Sequence, residues 1–221
     1  QVIMFENELE QLKISDFIVD KISCAGAMKA ILASHYMHRK TPCMYAYGLY
    51  YSIEALGVIS FGLPASPSLV KGICGEEEKE HVIELNRLWI RDGTPKNSES
   101  FLIGQALKML PKKYSIVVSY ADTKENHTGI VYQATNFLYT GLSANVFNYQ
   151  LAGEENKHSR GFLQRYGGTV ESAKKILGED KILKVPRSRK HRYIIFRGSK
   201  TEKKRLRKLL RYEVQAYPKA D

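Results

Sequence analysis

Between residues 45 and 120 the chain lays strand-length runs around one helical stretch in an order that few folds accommodate. Positions 45–51 (YAYGLYY) and 55–61 (ALGVISF) are aromatic and β-branched, with a short turn between them, which predicts an antiparallel hairpin. Residues 81–90 (HVIELNRLWI) alternate as a strand does, and Asp92-Gly93-Thr94-Pro95 breaks the run. Asn97 or Ser98 then caps a helix to about Leu110, which Pro111 ends. A second β-branched run at 115–120 leads into Ala121 and Asp122, and past a polar loop with His127 and Gly129 an aromatic helix is expected over 129–138. Upstream, Met28, Ile31, Leu32 and His35 recur at helical spacing over 25–36, whereas 6–14 read as a short helix or an edge strand. Downstream, 141–180 read as irregular apart from a helix at 170–177, followed by a strand at 191–197 and a helix at 201–217. The order predicts an α/β (α+β) chain, a mixed, mostly antiparallel sheet flanked by helices. Residues 1–198 would form one domain, with a basic helix (199–221) packed on it.

At 221 residues the chain suits one full-sized domain, and 43% hydrophobic residues suffice for a core. The first residues carry no cationic lead or apolar signal core, and no stretch nears the roughly 20 apolar residues of a membrane span. The expectation is a cytoplasmic protein with no membrane partner. Cys24, Cys43 and Cys74 are odd in number with no CxxC pair, which argues against a disulfide framework and against zinc. The net charge of +11 is concentrated: residues 181–211 hold fourteen Lys/Arg against one acid, Glu202. Such a block suits phosphate contacts that release counterions, the alternatives being a solvated basic helix or an anionic membrane patch.

The element order resembles that of the GNAT acyltransferase fold, in which two neighbouring central strands splay and acyl-CoA lies between them. On that resemblance 81–90 and 115–120 are the splayed pair, and the cofactor pyrophosphate sits at the start of the next helix, where free N–H groups and the helix dipole favour anions. The fold's glycine-rich phosphate loop is missing; "RDGTPKNSES" stands in its place, with Lys96, Asn97, Ser98 and Ser100 as candidate donors. A more particular set of strings, "SHYMHR" (34–39), "YAYGLY" (45–50), "GVISFG" (57–62), "ELNRLW" (84–89), "PKNSES" (95–100), "SYADTKENHTGIVYQATNFLYTG" (119–141), "KHSR" (157–160) and "KHRY" (190–193), resembles the phage Mom DNA-modification family. That resemblance implies an enzyme that places a carbamoylmethyl-type group on adenine N6 of double-stranded DNA and so masks it from restriction. It also implies acetyl-CoA or another acyl-CoA, with iron a suspected extra that no clear ligand set here supports.

Within that frame Tyr132 matches the tyrosine that protonates the departing CoA thiolate, the alternative being packing against Phe137 and Tyr139. Asp122 is a candidate to hold or deprotonate the adenine amino group, whose lone pair is delocalised into the ring; an Asx turn is its plainer role. His35 is a candidate base or metal ligand, and Tyr36 a stacking partner for an extruded base. Arg87, a strand arginine among apolar neighbours, calls for a CoA phosphate or Glu84, itself a second candidate base. Lys157, Arg160, Arg187, Arg189, Lys190, Arg192, Lys203, Lys204 and Arg207 are expected to hold the DNA backbone and carry little sequence information. An ordinary acyltransferase of amines or proteins and a noncatalytic DNA-binding protein remain the competing classes.

Overall fold

The computed structural model describes Leu9 and residues 11–34, 41–64, 66–154 and 159–219. The hairpin is present: β2 (Tyr45–Tyr51) pairs antiparallel with β3 (Glu54–Gly62), and β1 (Ile18–Ile22), unforeseen in the sequence, adds to its outer edge. β4 (Val82–Ile90) pairs antiparallel with β3 and parallel with β5 (Ile116–Asp122). With β6 (Leu138–Leu142) and β9 (Lys190–Phe196) these strands form one sheet, in the order β1-β2-β3-β4-β5-β9-β6. This is the expected mixed, mostly antiparallel, helix-flanked sheet.

Helices cover both faces because the strands alternate. Odd-numbered residues of the central strands (Ile59, Phe61, Ile83, Leu85, Val117) join Leu102, Ile103 and Ala106 of α3 (Ser98–Met109) in the main core, with Tyr132 of the single-turn α4 (Ile130–Ala134). On the opposite face Val82, Ile116 and Val118 meet Ile73 of α2 (Pro67–Cys74) and Leu206 of α7 (Lys200–Leu209), while α1 (Cys24–Ser34) packs Ala27 and Ile31 on Ala46 and Val58. Residues 62–75, rich in Pro, Ser and Gly, contain α2: the Ser66 hydroxyl accepts from the Leu69 N–H at 3.3 Å and Pro67 opens the first turn, a start signal that the surrounding Pro and Gly disguise.

Two expected helices are shorter than their patterns. The one at 129–138 stops at Ala134, where Thr135 Oγ1 donates back to the Val131 carbonyl (2.8 Å) and Asn136 turns left-handed, so that Leu138 begins β6. The one at 201–217 stops at Leu209; the chain then runs on without regular structure, the Gln215 N–H donating to the Tyr139 carbonyl (2.9 Å) and the Tyr217 hydroxyl to that of Phe137 (2.7 Å). Leu206, fully buried, ties α7 to the sheet; burying a leucine side chain is worth about 1.5–3 kcal/mol. Arg205 adds ion pairs to Glu78 (2.5 Å) and Glu202 (2.9 Å).

Two units divide the chain: residues 1–121, 127–141 and 191–221 in the first, 122–126 and 142–190 in the second. The second replaces the irregular stretch read from the sequence. Its β7 (Phe147–Leu151) pairs antiparallel with β8 (Ile182–Pro186), and α5 (Ser159–Arg165) and α6 (Val170–Leu177) lie between them in sequence. Phe162, Ala173 and Ile182 form its small core with Tyr149 and Leu151. The cysteine expectation is corrected: Cys24 at the start of α1 is disulfide-bonded to Cys43 just ahead of β2, and Cys74 is free and buried.

Candidate active site

β4 and β5 are nine and seven residues long, yet they pair over only four positions, from Val82↔Ile116 to Leu85↔Ser119. Beyond that point the two strands part. A β-bulge sits at the same place: Ser60 pairs with Arg87 and Phe61 with Leu85, leaving Asn86 as an extra residue in β4. Its side chain is held on both sides, Oδ1 accepting from the Ser60 hydroxyl (2.8 Å) and Nδ2 donating to the Pro42 carbonyl (2.6 Å). Gly62 permits this approach, since a Cβ there would stand 2.1 Å from the Pro42 oxygen. At the crotch the buried Ser119 hydroxyl donates to the Leu85 carbonyl (2.8 Å) across the last pair. Bulge and crotch bond together fix where the fork opens. Ser119 and Asn86 are residues that sequence reasoning passed over: a strand serine carries no signal of its own, while the bulge does show in "ELNRLW", where alternation breaks at Asn86-Arg87 and Leu88 follows Leu85 onto the main core after three residues instead of two.

Each candidate can be placed against this fork. Arg87 follows the bulge, half-buried, with Nη1 donating to the Asn86 carbonyl (2.6 Å). Glu84 lies below it, in register with Gly62 and Val118. Burial first, and then the Glu84 charge, raises the phenol of Tyr120, the first β5 residue past the fork point. At the entry to α3, Lys96 and Asn97 are exposed and Asn97 is left-handed (φ 74°). The hydroxyls of Ser98 and Ser100 are committed to closing that turn, donating to the carbonyls of Pro95 (2.6 Å) and Asn97 (3.0 Å). Lys96 is the exposed cation there, and the serine hydroxyls are spent on the turn.

Tyr132 is 8% exposed and packs against Phe137 and Tyr193, with ring centroids 5.5 and 5.3 Å away. Gly129 starts its helix at φ +81° beneath the Tyr193 ring, which a Cβ would meet at 2.4 Å. The same aromatic group holds a pair that the sequence did not single out: the Tyr139 hydroxyl and His191 Nδ1 share a hydrogen bond of 2.9 Å, and burial holds the His191 imidazole below its usual value. Asp122 belongs to the second unit, Tyr132 to the first. Asp122 Oδ1 accepts from the Lys124 N–H (3.0 Å) and Oδ2 lies 3.6 Å from Lys190 Nζ. Burial opposes its charge, but these contacts and the Ser188 hydroxyl together hold the carboxyl below its ordinary value. The turn-capping role considered from sequence is therefore present. His35 and Tyr36 lie outside the described residues. Among the described residues no group of three or more His, Cys, Asp or Glu could hold a metal ion.

Residues 16–219 match the family described as the Mom protein family. The methylcarbamoylase Mom of Escherichia phage Mu is 32% identical over 225 residues, which span 99% of this chain and 90% of that one. This chain belongs to the Mom family. Solved acetyltransferases are looser likenesses. An N-acetyltransferase from Staphylococcus aureus has 8% identity and a TM-score of 0.47, over 81% of this chain and 97% of its own. A GNAT family acetyltransferase from Elizabethkingia anophelis with acetyl-CoA bound has 10% and 0.43, over 82% and 99%. At these scores the likeness carries no argument; the fork stands on its own strand register.

In this Mom-family chain the expected DNA-contacting cations differ in their surroundings. Lys203, Lys204 and Arg207 project from α7 and are exposed. Arg192 is engaged within the first unit, its Nε donating to Thr140 Oγ1 (2.9 Å) and its guanidinium lying 3.4 Å over the Tyr212 ring. Arg187 and Arg189 are exposed in the second unit, where Lys190 pairs with Asp122. Lys157 lies outside the described residues, and Arg160 falls within α5. No helix among the described residues is long and apolar enough to cross a membrane.

Proposed function

We propose that this chain is a transferase that adds a carbamoylmethyl-type group to adenine N6 in double-stranded DNA, drawing on an acyl-CoA-type thioester, and so shields phage DNA from host restriction. Near-full-length kinship with the Mom family carries the proposal.

The fork supports the donor. Where the pairing of β4 and β5 ends, the parted strand edges offer backbone groups to an amide-bearing chain, much as a sheet edge accepts an added strand. Residues 86–90 would hold the pantetheine arm, and the N-terminus of α3 with Lys96 the diphosphate. When bound, the thioester supplies an activated acyl carbon. Asp122 accepts the proton that leaves adenine N6 as it bonds to the acyl carbon, and the Tyr132 hydroxyl supplies one to the sulfur as the C–S bond breaks. That transfer alone gives an N6-amide; the carbamoylmethyl group requires in addition a nitrogen donor and a rearrangement that bonds N6 to the CH2 carbon. Tyr36 stacks on the extruded base, beside His35 as a second proton acceptor. Lys203, Lys204 and Arg207 contact phosphates and set affinity rather than sequence.

Nucleoside mass spectrometry of plasmid DNA from cells expressing the chain tests the reading. A mass-shifted deoxyadenosine supports it. Unaltered deoxyadenosine alongside newly acetylated amines would place the chain with ordinary acyltransferases.

A further inference from the structure

The second unit presents an apolar tip that its own packing does not explain. Phe147 opens β7 and pairs with Pro186 at the end of the two-stranded sheet, where the Arg187 N–H donates to the Val146 carbonyl (2.9 Å). Val146 and Phe147 are each 43% exposed, and neither belongs to the core around Phe162, Ala173 and Ile182. The ring is held firmly: it starts a strand, and Lys184 Nζ stands 4.1 Å from its centroid.

Cations predominate around the tip, and the acid beside them, Asp122, is paired with Lys190. Lys184, Arg187 and Arg189 are exposed, and none forms an ion pair with an acid among the described residues. Arg189 Nε donates to the Ser143 carbonyl (2.8 Å) and the Lys190 N–H to Ser143 Oγ (2.9 Å), bracing the loop that leads to Phe147. A firmly held apolar point ringed by cations without acid partners suits neither bulk water nor a neutral protein surface. It is complementary to a duplex, whose phosphates meet the cations while an apolar side chain enters between base pairs.

We propose that Val146 and Phe147 form a wedge that inserts into a base step of double-stranded DNA and unstacks it, with Lys184, Arg187 and Arg189 on the flanking phosphates. The inference rests on the adenine-modifying reading above and supplies what that reading lacks. N6 chemistry requires the base to leave the stack, and unstacking a step beforehand lowers the cost of extruding it. The wedge acts on the DNA; no covalent step is assigned to it.

The test uses the full chain and duplexes carrying 2-aminopurine, which brightens when unstacked, in place of several adenines. Wild-type protein should raise the fluorescence. Phe147→Ala, an exposed change that leaves the small core intact, should still bind the duplex within about threefold while losing most of the rise, and should modify plasmid adenine about tenfold less or worse. Phe147→Leu, which keeps an apolar point, should recover a large part of both. A full fluorescence rise or undiminished modification with Phe147→Ala would overturn the wedge while leaving the adenine-modifying reading intact. Failure of the wild type to bind duplex DNA or modify adenine would instead remove that reading, and the wedge with it. A change in oligomeric mass on Phe147→Ala, with DNA behaviour unaltered, would assign the tip to a second copy of the chain and also overturn the proposal.

Discussion

Replacing Ser119 with alanine removes the hydroxyl at the crotch of the fork and nothing else of consequence. Ser119 is fully buried and Leu85, whose carbonyl it serves across 2.8 Å, is 2% exposed. Water cannot take over the bond, so the loss should sit in the range for a buried polar group left unsatisfied, about 1–3 kcal/mol. With a urea dependence of about 2 kcal/mol per M, the unfolding midpoint should fall by about 0.5–1.5 M. The chain has a single tryptophan, and Trp89 lies on β4 beyond the fork point, so its fluorescence reports on the arm concerned. Ser60→Ala, which frees Asn86 Oδ1 from its 2.8 Å donor, should give a shift of the same sign. A Ser119→Ala midpoint within about 0.2 M of wild type would mean that this hydroxyl does not join the strands and that the fork is set by something else.

Four further outcomes are expected. Tyr132→Phe keeps the ring against Phe137 and Tyr193 and should abolish modification with stability changed by less than about 1 kcal/mol; retained modification would remove its acid role. Asp122→Asn should also abolish modification with DNA affinity unchanged. Because the folded carboxyl titrates below its ordinary value, its stabilisation is present above about pH 4 and lost as pH falls through the folded value, so the stability gap to wild type should close in acid. Reversing charge at Lys203, Lys204 and Arg207 should weaken duplex binding and flatten its dependence on salt, by about 0.9 in logarithmic slope for each phosphate that is no longer neutralised. Thiol titration of unfolded, unreduced protein should find one reactive cysteine of three, and reduction should lower stability by about 3 kcal/mol for a loop closed over 19 residues; three thiols would refute the Cys24–Cys43 bond.

The sequence made the sheet's centre legible because β2 to β5 are buried runs bounded by strong breakers. The 45–51 strand and the 170–177 helix came out at their observed ends. Pairings over long separations left no trace: β7 meets β8 across two intervening helices, and neither strand alternates strongly enough to stand out. Local pattern also misled. Leu210 and Val214 continue the apolar spacing of α7, but they lie beyond its end in a segment held by Ile73, Tyr139 and Phe137 carbonyls. At the site, the parting of β4 from β5 was expected from family resemblance alone, although the extra residue at Asn86 breaks the alternation of "ELNRLW" and sets Leu85 and Leu88 three apart on the main-core side, a local signal that the strand reading passed over. Residue types suggested serine hydroxyls as phosphate donors, whereas helix entry consumes those of Ser98 and Ser100.

Backbone hydrogen exchange with and without acetyl-CoA addresses the fork itself. Its amides should be slowed at 86–90, at 120–121 and at the first turn of α3, the places where pairing between β4 and β5 has ended and where the helix offers free N–H groups. Protection confined to other parts of the chain, or none at saturating acetyl-CoA, would contradict a donor seated between the parted strands.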